Sequence, residues 1–397
     1  MQSVFSRFSV CIRGTLCTGI DSTINEIIKI KDIESGLATI TGHLAADRHF
    51  APHRSKRMQD RNMAAGLFFE MENKRIWNVC RSHSEAAEAV DAIASQLGLL
   101  KPTAALLYNR GFHSVDEARR MIRKEDEIFH DPFQMAGMDR AVKRILDAVE
   151  QKQRIAIYGD YDVDGVTSVA TLYLYLKSKG AEIEYYIPNR NGEGYGVNTN
   201  AIARLAEKGV RLIITVDTGI TAHHEVEYAR ELGIDVLVTD HHECHSGLPD
   251  AVAVINCRRT DCSYPFKDLA GVGVVFKVIC AVELTLCGGD YACVGRLCRT
   301  YADLVAIGTI ADVMPLVDEN RLIVAIGLKL IENTTRPGLA ALLELSAANS
   351  SKNGRHSKKR RVNSSLIGYT IAPRLNAAGR ISTASKAVDL FLTDSEA

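Results

Sequence analysis

Asp160, Asp162 and Asp164 occupy alternate positions in GDYDVDG at 159–165, directly behind the apolar run 154–158. Three carboxylates this close repel one another unless a cation neutralises them. Clustered hard oxygen ligands suit Mg²⁺ or Mn²⁺, so the chemistry suggested is a divalent-metal site handling phosphate. Three further segments supply similar donors: VDTG at 216–219 with Asp217, TDHH at 239–242 with His241 and His242, and GTIADVMP at 308–315 with Asp312. Two divalent cations need roughly six to eight protein ligands. Asp160, Asp162, Asp164, Asp217, His241 and Asp312 form a set of that size, and the imidazole inclines it towards Mn²⁺ while leaving Mg²⁺ open.

Taken singly, each donor has a structural explanation. Aspartates behind strands often cap the next helix, and a lone DHH triplet suits a polar surface. Their shared placement favours a site. Of the two histidine pairs, His223-His224 lies several residues beyond Asp217 and reads as solvent-facing. His241-His242 directly follows the strand-end Asp240, so it is the pair chosen.

Positioning these residues takes a sheet. Apolar runs at 154–158, 183–187, 212–216 and 235–239 read as strands, with helical patterns at 167–178, up to about 208, and at 225–232 between them. This alternation predicts an α/β fold, a parallel sheet with helices on both faces. Asp160, Asp217 and Asp240 fall at or just after strand ends, the edge where open α/β sheets bind ligands. Helical text runs from about 94 to 151 and again over 268–286, 300–311 and 322–332. The expected organisation is an unassigned extension at 1–93, a helical lead-in at 94–150, a catalytic domain at 151–335, and a helical linker at 336–397 opening an incomplete second domain. The stretch 349–365 holds Lys352, Arg355, Lys358, Lys359, Arg360 and Arg361 without apolar periodicity and reads as an exposed loop.

The 397 residues carry 48 Lys+Arg and 48 Asp+Glu, so no net field draws the chain to nucleic acid and any such contact must be local. The 10 cysteines have no C-x-x-C spacing and read as buried thiols of a reducing, cytoplasmic compartment. The most apolar stretch, 269–286, contains Lys277 and Glu283 and reads as a core helix rather than a membrane span.

At these motifs the sequence resembles the DHH phosphoesterase superfamily, named for the triplet found here as Asp240-His241-His242, and within it the 5′→3′ exonucleases specific for single-stranded DNA. The resemblance rests on GDYDVDGVTS at 159–168, PNR at 188–190, GYG at 194–196, ITVDTGI at 214–220, VTDHH at 238–242, LAGVGV at 269–274, AIGTIADVMPL at 306–316 and APRLNAAGR at 372–380. With the helical lead-in it covers about residues 94–397. It implies Asp160 and Asp162 on one ion, Asp164, His241 and Asp312 on a second, Asp217 as the bridge, and His242 on the scissile phosphate. It further implies Mn²⁺ or Mg²⁺, water as nucleophile, 5′-mononucleotides as product, and a role in DNA repair and recombination beside a repair helicase or a single-strand-binding protein. Where superfamily members often carry a histidine, this chain has Tyr158 and uses Asp160 as the extra ligand, which speaks against an inorganic pyrophosphatase. Arg374, Asn376 and Arg380 suit phosphate clamping, since guanidinium groups bind phosphate bidentately. The small residues at 376–379 would let a strand approach. Arg190 and Tyr195 suit DNA contact by charge and base stacking.

These exonucleases usually continue into a second phosphate-binding domain and an oligonucleotide-binding barrel. Neither is legible before Ala397, so the expectation is a C-terminally truncated enzyme with weakened DNA affinity and processivity. Two alternatives compete. One is a DHH phosphodiesterase of short oligonucleotides or cyclic dinucleotides. The other is an inactive nucleic-acid-binding fragment, which the six intact candidate ligands oppose.

Overall fold

The computed structural model describes residues 84–122, 129–189, 194, 196–245, 247–351 and 362–394. Packing divides the chain into two compact units, Met1–Val115 and Asp116–Ala397. In the first, α1 (Ser84–Leu97) packs on α2 (Lys101–Asn109). Helix begins earlier than the 94 read from sequence because Ala86, Val90, Ile93 and Ala94 form a buried stripe at helical spacing.

The second unit follows α3 (Val115–Ile122) with α4 (Met138–Glu150), β1 (Arg154–Gly159), α5 (Val163–Ser178), β2 (Ile183–Tyr186), α6 (Thr199–Glu207), β3 (Val210–Val216), α7 (His223–Glu231), β4 (Asp235–Thr239) and β5 (Ala253–Ile255). A helical run completes it: α8 (Gly271–Leu286), α9 (Ala292–Ala311), α10 (Asp318–Glu332), α11 (Pro337–Ser351), α12 (Ser364–Leu366), α13 (Ala372–Ile381) and α14 (Ser385–Leu392). A π-helical turn, Ile367–Ile371, joins α12 to α13. Of the basic stretch read as a loop, residues 352–361 lie outside the described residues, while Ser351 still belongs to α11.

All strand pairings are parallel and the order is β2-β1-β3-β4-β5. Ile155, Ile157, Leu212, Ile214, Val216 and Leu237 join the core that also holds α4, α5 and α8. Ala156, Tyr158, Ile213, Val236 and Val238 join the opposite core beneath α6 and α7. Burial on both faces explains why these strands read as unbroken apolar runs. Helices on both faces are therefore as the sequence predicted. β5 escaped the reading because its three residues are too few for a periodic signal. No described helix is long and apolar enough to cross a membrane, and the described cysteines are free thiols. Most of the apolar stretch 269–286 forms the largely buried helix α8, which begins at Gly271.

Candidate metal centre

Strand order reverses between β1 and β3, and the crevice at such a switch point is where ligands bind in this class of sheet. Asp160 follows β1 and Asp217 follows β3, so both carboxylates stand at the rim of that crevice. Helix α5 starts at Val163 rather than the expected 167, because the Asp162 carboxylate caps it by accepting from Gly165 N at 3.0 Å. That start places Asp164 in the buried first turn of α5. His241 and His242 follow β4, and Asp312 terminates α9.

These residues converge. Ligand atoms of Asp160, Asp162 and Asp217 lie within 4.8 Å of one another, as do those of Asp164, His241 and Asp312, and those of Asp217, His241 and His242. His241 Nε2 stands 3.1 Å from Asp217 Oδ1, 3.7 Å from Asp312 Oδ2 and 3.9 Å from Asp164 Oδ2. Asp217 and His241 thus belong to groups that overlap. Burial and the neighbouring Asp162 push the Asp164 carboxyl up to about 7. Burial and Asp164 push Asp312 up to about 7 as well. Burial, then the charges of Asp164 and Asp162, hold Asp217 well above the ordinary carboxylate range, and burial pulls His241 below the usual imidazole value. The raised carboxyls are what buried, crowded anions show. Asp217 Oδ1 and His241 Nδ1 are buried and take no hydrogen bond among the described residues. Orphaned donor atoms of hard-ligand and imidazole type fit divalent cations of the Mn²⁺ or Mg²⁺ kind.

The supporting residues were largely invisible in the sequence. Asp164 accepts from Gly271 N at 2.6 Å and Val272 N at 2.9 Å, so the N-terminus of α8 holds its carboxylate in place. A side chain at 271 would collide with Asp217, its Cβ falling 2.6 Å from Oδ1. Gly308 on α9 is equally tight, a Cβ there meeting Thr167 Oγ1 at 2.3 Å and Asp164 Oδ1 at 2.8 Å. These contacts give Gly271 in LAGVGV and Gly308 in AIGTIADVMPL a physical reason. Asp217 and Val313 hold left-handed backbone at φ 58° and 60°, a strained conformation flanking the two halves of the cluster. Asp240, read only as a strand-end marker, accepts from Ile220 N at 2.9 Å, His241 N at 2.7 Å and His242 N at 3.0 Å. It also accepts from His242 Nδ1 at 2.6 Å. Burial opposes ionisation of Asp240, but these His242 contacts overcome it and hold its carboxyl below the ordinary range. The same bond lifts His242 above the usual imidazole value. Asn256 Nδ2 donates to the His242 carbonyl at 2.8 Å, fixing the same loop from β5.

Outside the cluster, His223 and His224 are exposed on α7, in keeping with the choice of the other pair. Arg374, Asn376 and Arg380 lie on α13, with both arginines exposed and Asn376 half-buried. Neither arginine pairs with a carboxylate among the described residues; Arg374 donates to the Thr370 carbonyl at 2.5 Å. The small Gly379 is buried with its Cβ position 3.4 Å from the Tyr161 carbonyl, so that close approach is taken up by this chain's own backbone. Arg190 and Tyr195 lie outside the described residues.

Residues 154–309 match the DHH family, N-terminal domain, and this part of the chain is a DHH-family domain. Within that family the chain is a homologue of RecJ. It is 42% identical over 324 residues to the single-stranded-DNA-specific exonuclease RecJ of Bacillus subtilis (strain 168), covering 82% of this chain and 38% of that protein. It is 38% identical over 314 residues to RecJ of Escherichia coli (strain K12), covering 77% and 52%. The structure of RecJ from Thermus thermophilus in complex with Mn²⁺ matches with a TM-score of 0.62 at 30% identity, covering 78% of this chain and 42% of that one. The chain spans about half the length, or less, of these curated relatives.

Proposed function

We propose that this chain carries the catalytic half of a metal-dependent exonuclease that degrades single-stranded DNA from its 5′ end to 5′-mononucleotides. One observation carries the reading: six metal-type donors from four separate sequence motifs meet at the sheet's switch point, in two groups joined through Asp217 and His241. Asp160, Asp162 and Asp217 would hold one ion, and Asp164, His241 and Asp312 the other, with Asp217 between them. When bound, two such ions polarise the phosphodiester and lower the pKa of an attacking water. The chain's own residues do the rest. The α8 N-terminus keeps Asp164 aimed into the site, and Asp240 holds His242 with its Nδ1 proton occupied. The raised affinity of His242 for a proton suits it to hydrogen-bond an anionic phosphate oxygen.

The catalytic domain is taken as 151–335, the helical lead-in as 94–150, and 336–397 as linker and opening of a second domain. Repair and recombination in the cytoplasm, on strands exposed by a helicase or coated by a single-strand-binding protein, form the wider part of the proposal. Its support is the homology to RecJ. The test compares Mn²⁺-dependent hydrolysis of a long single strand, the same sequence as duplex, and a dinucleotide. The proposal expects the single strand to be degraded fastest. Preference for the dinucleotide would replace it with a short-oligonucleotide phosphodiesterase.

A further inference from the structure

Arg258 follows β5 and belongs to none of the ligand groups of the metal centre. Each of its three side-chain nitrogens donates to a different residue. Nη1 donates to Glu243 Oε1 at 2.7 Å, Nε to the Lys267 carbonyl at 3.3 Å, and Nη2 to Asp268 Oδ1 at 3.4 Å. Its backbone N–H donates to Asn256 Oδ1 at 2.7 Å, and the buried Asn256 donates in turn to the His242 carbonyl at 2.8 Å. Arg258 and Asn256 thus grip the chain at two adjacent residues, His242 and Glu243. Lys267 and Asp268 lead into α8, whose N-terminus holds Asp164. The belt of hydrogen bonds continues from there. Asn320 Nδ2 donates to the Asp268 carbonyl at 2.6 Å and to the carbonyl of Pro315, in the Asp312 motif, at 3.1 Å.

We propose that Arg258 is a positioning residue for His242, fixing the spacing between the loop that bears this histidine and the α8 N-terminus that carries Asp164. The inference rests on the phosphodiesterase reading of the site and deepens it. The carboxylates of Glu243 and Asp268 are 55% and 47% exposed, and ion pairs this open to water add little stability. What the guanidinium adds is geometry: its rigid planar fork holds three acceptors at set angles, which an ammonium on a flexible stem does not. With every nitrogen already engaged, the group is suited to hold loops together rather than to take up a phosphate.

The test uses the full chain labelled with ¹⁵N-histidine and free of divalent ions. The His242 signals are identified by their loss in His242→Gln. Arg258→Ala is expected to shift or broaden them while His223 and His224, on α7, stay unchanged. Glu243→Gln, at an exposed partner, is expected to move them less and in the same direction, and decides the matter if Arg258→Ala does not fold. Unchanged His242 signals in the folded variants overturn the proposal. In Mn²⁺ on single-stranded DNA, Arg258→Ala is expected to lower kcat about tenfold at constant KM. Methylguanidinium should restore that loss, whereas Arg258→Lys should not. Full activity in Arg258→Lys would mean that charge rather than geometry matters, and a raised KM at constant kcat would make Arg258 a strand contact; either overturns the proposal. Absence of hydrolysis by the parent would count against the phosphodiesterase reading, while the histidine spectrum still decides the positioning.

Discussion

Protons and metal ions compete for the same oxygens on Asp164 and Asp312. Both carboxyls titrate at about 7 in the folded chain, against ~4 in an unfolded one. A raised folded pKa contributes stability that is full below ~4 and is lost as pH rises through about 7. The ion-free chain is therefore expected to melt at a lower temperature at pH 8 than at pH 5, and saturating Mn²⁺ to remove the difference. Binding requires ionised carboxylates, so Mn²⁺ affinity should climb between about pH 6 and 8 with release of protons. Calorimetry in two buffers of different ionisation enthalpy measures this, and an affinity flat across that range would contradict it. Asp240 sets a second expectation, since it orients both histidines without joining a ligand group. Asp240→Asn should lower kcat on single-stranded DNA by about 10–100-fold while Mn²⁺ still binds. Complete loss of Mn²⁺ binding would instead make Asp240 a ligand.

Helix α8 joins the site to the rest of the fold. Its N-terminus holds Asp164, and four residues beyond Gly273 the buried Lys277 pairs with Glu319 of α10 at 2.7 Å and donates to the His130 carbonyl at 2.6 Å. Tyr264 also donates to Glu319. Lys277→Ala would leave a buried carboxylate uncompensated and is expected to cost about 3–5 kcal/mol in chemical denaturation; a loss below about 1 kcal/mol would mean the pair is dispensable. In the sequence, Lys277 served only to argue against a membrane span, because its partner lies 42 residues away. The same limit separates what was legible from what was not. Strands β1 to β4 and the carboxylates behind them could be read because their signals are local: apolar runs followed by aspartate. The clamp on Asp164 from Gly271 and Val272, the fit of Gly308 against Thr167 and the fourfold role of Asp240 depend on tertiary contacts that no local pattern encodes. Helix starts were misplaced for a related reason, since side-chain capping by Asp162 and burial on all sides, rather than amphipathic period, decide where α5 begins.

For the molecule as a whole, a formal net charge of zero means that strand binding must come from local cations. Each phosphate neutralised on a single strand changes the slope of log affinity against log salt by about 0.7. Arg380→Ala should make that slope shallower by about this amount, and an unchanged slope would remove Arg380 from the strand path. A switch-point crevice, donor groups that meet at Asp217 and His241, and similarity to RecJ over about half of its length or less support the proposed catalytic half. The most direct test is Mn²⁺-dependent release of mononucleotides from 5′-labelled single-stranded DNA, by this chain and by Asp217→Ala. The account predicts release by the parent and a loss of at least about a hundredfold in the variant. Equal release by both would contradict it, since Asp217 is the carboxylate that joins the two ligand groups.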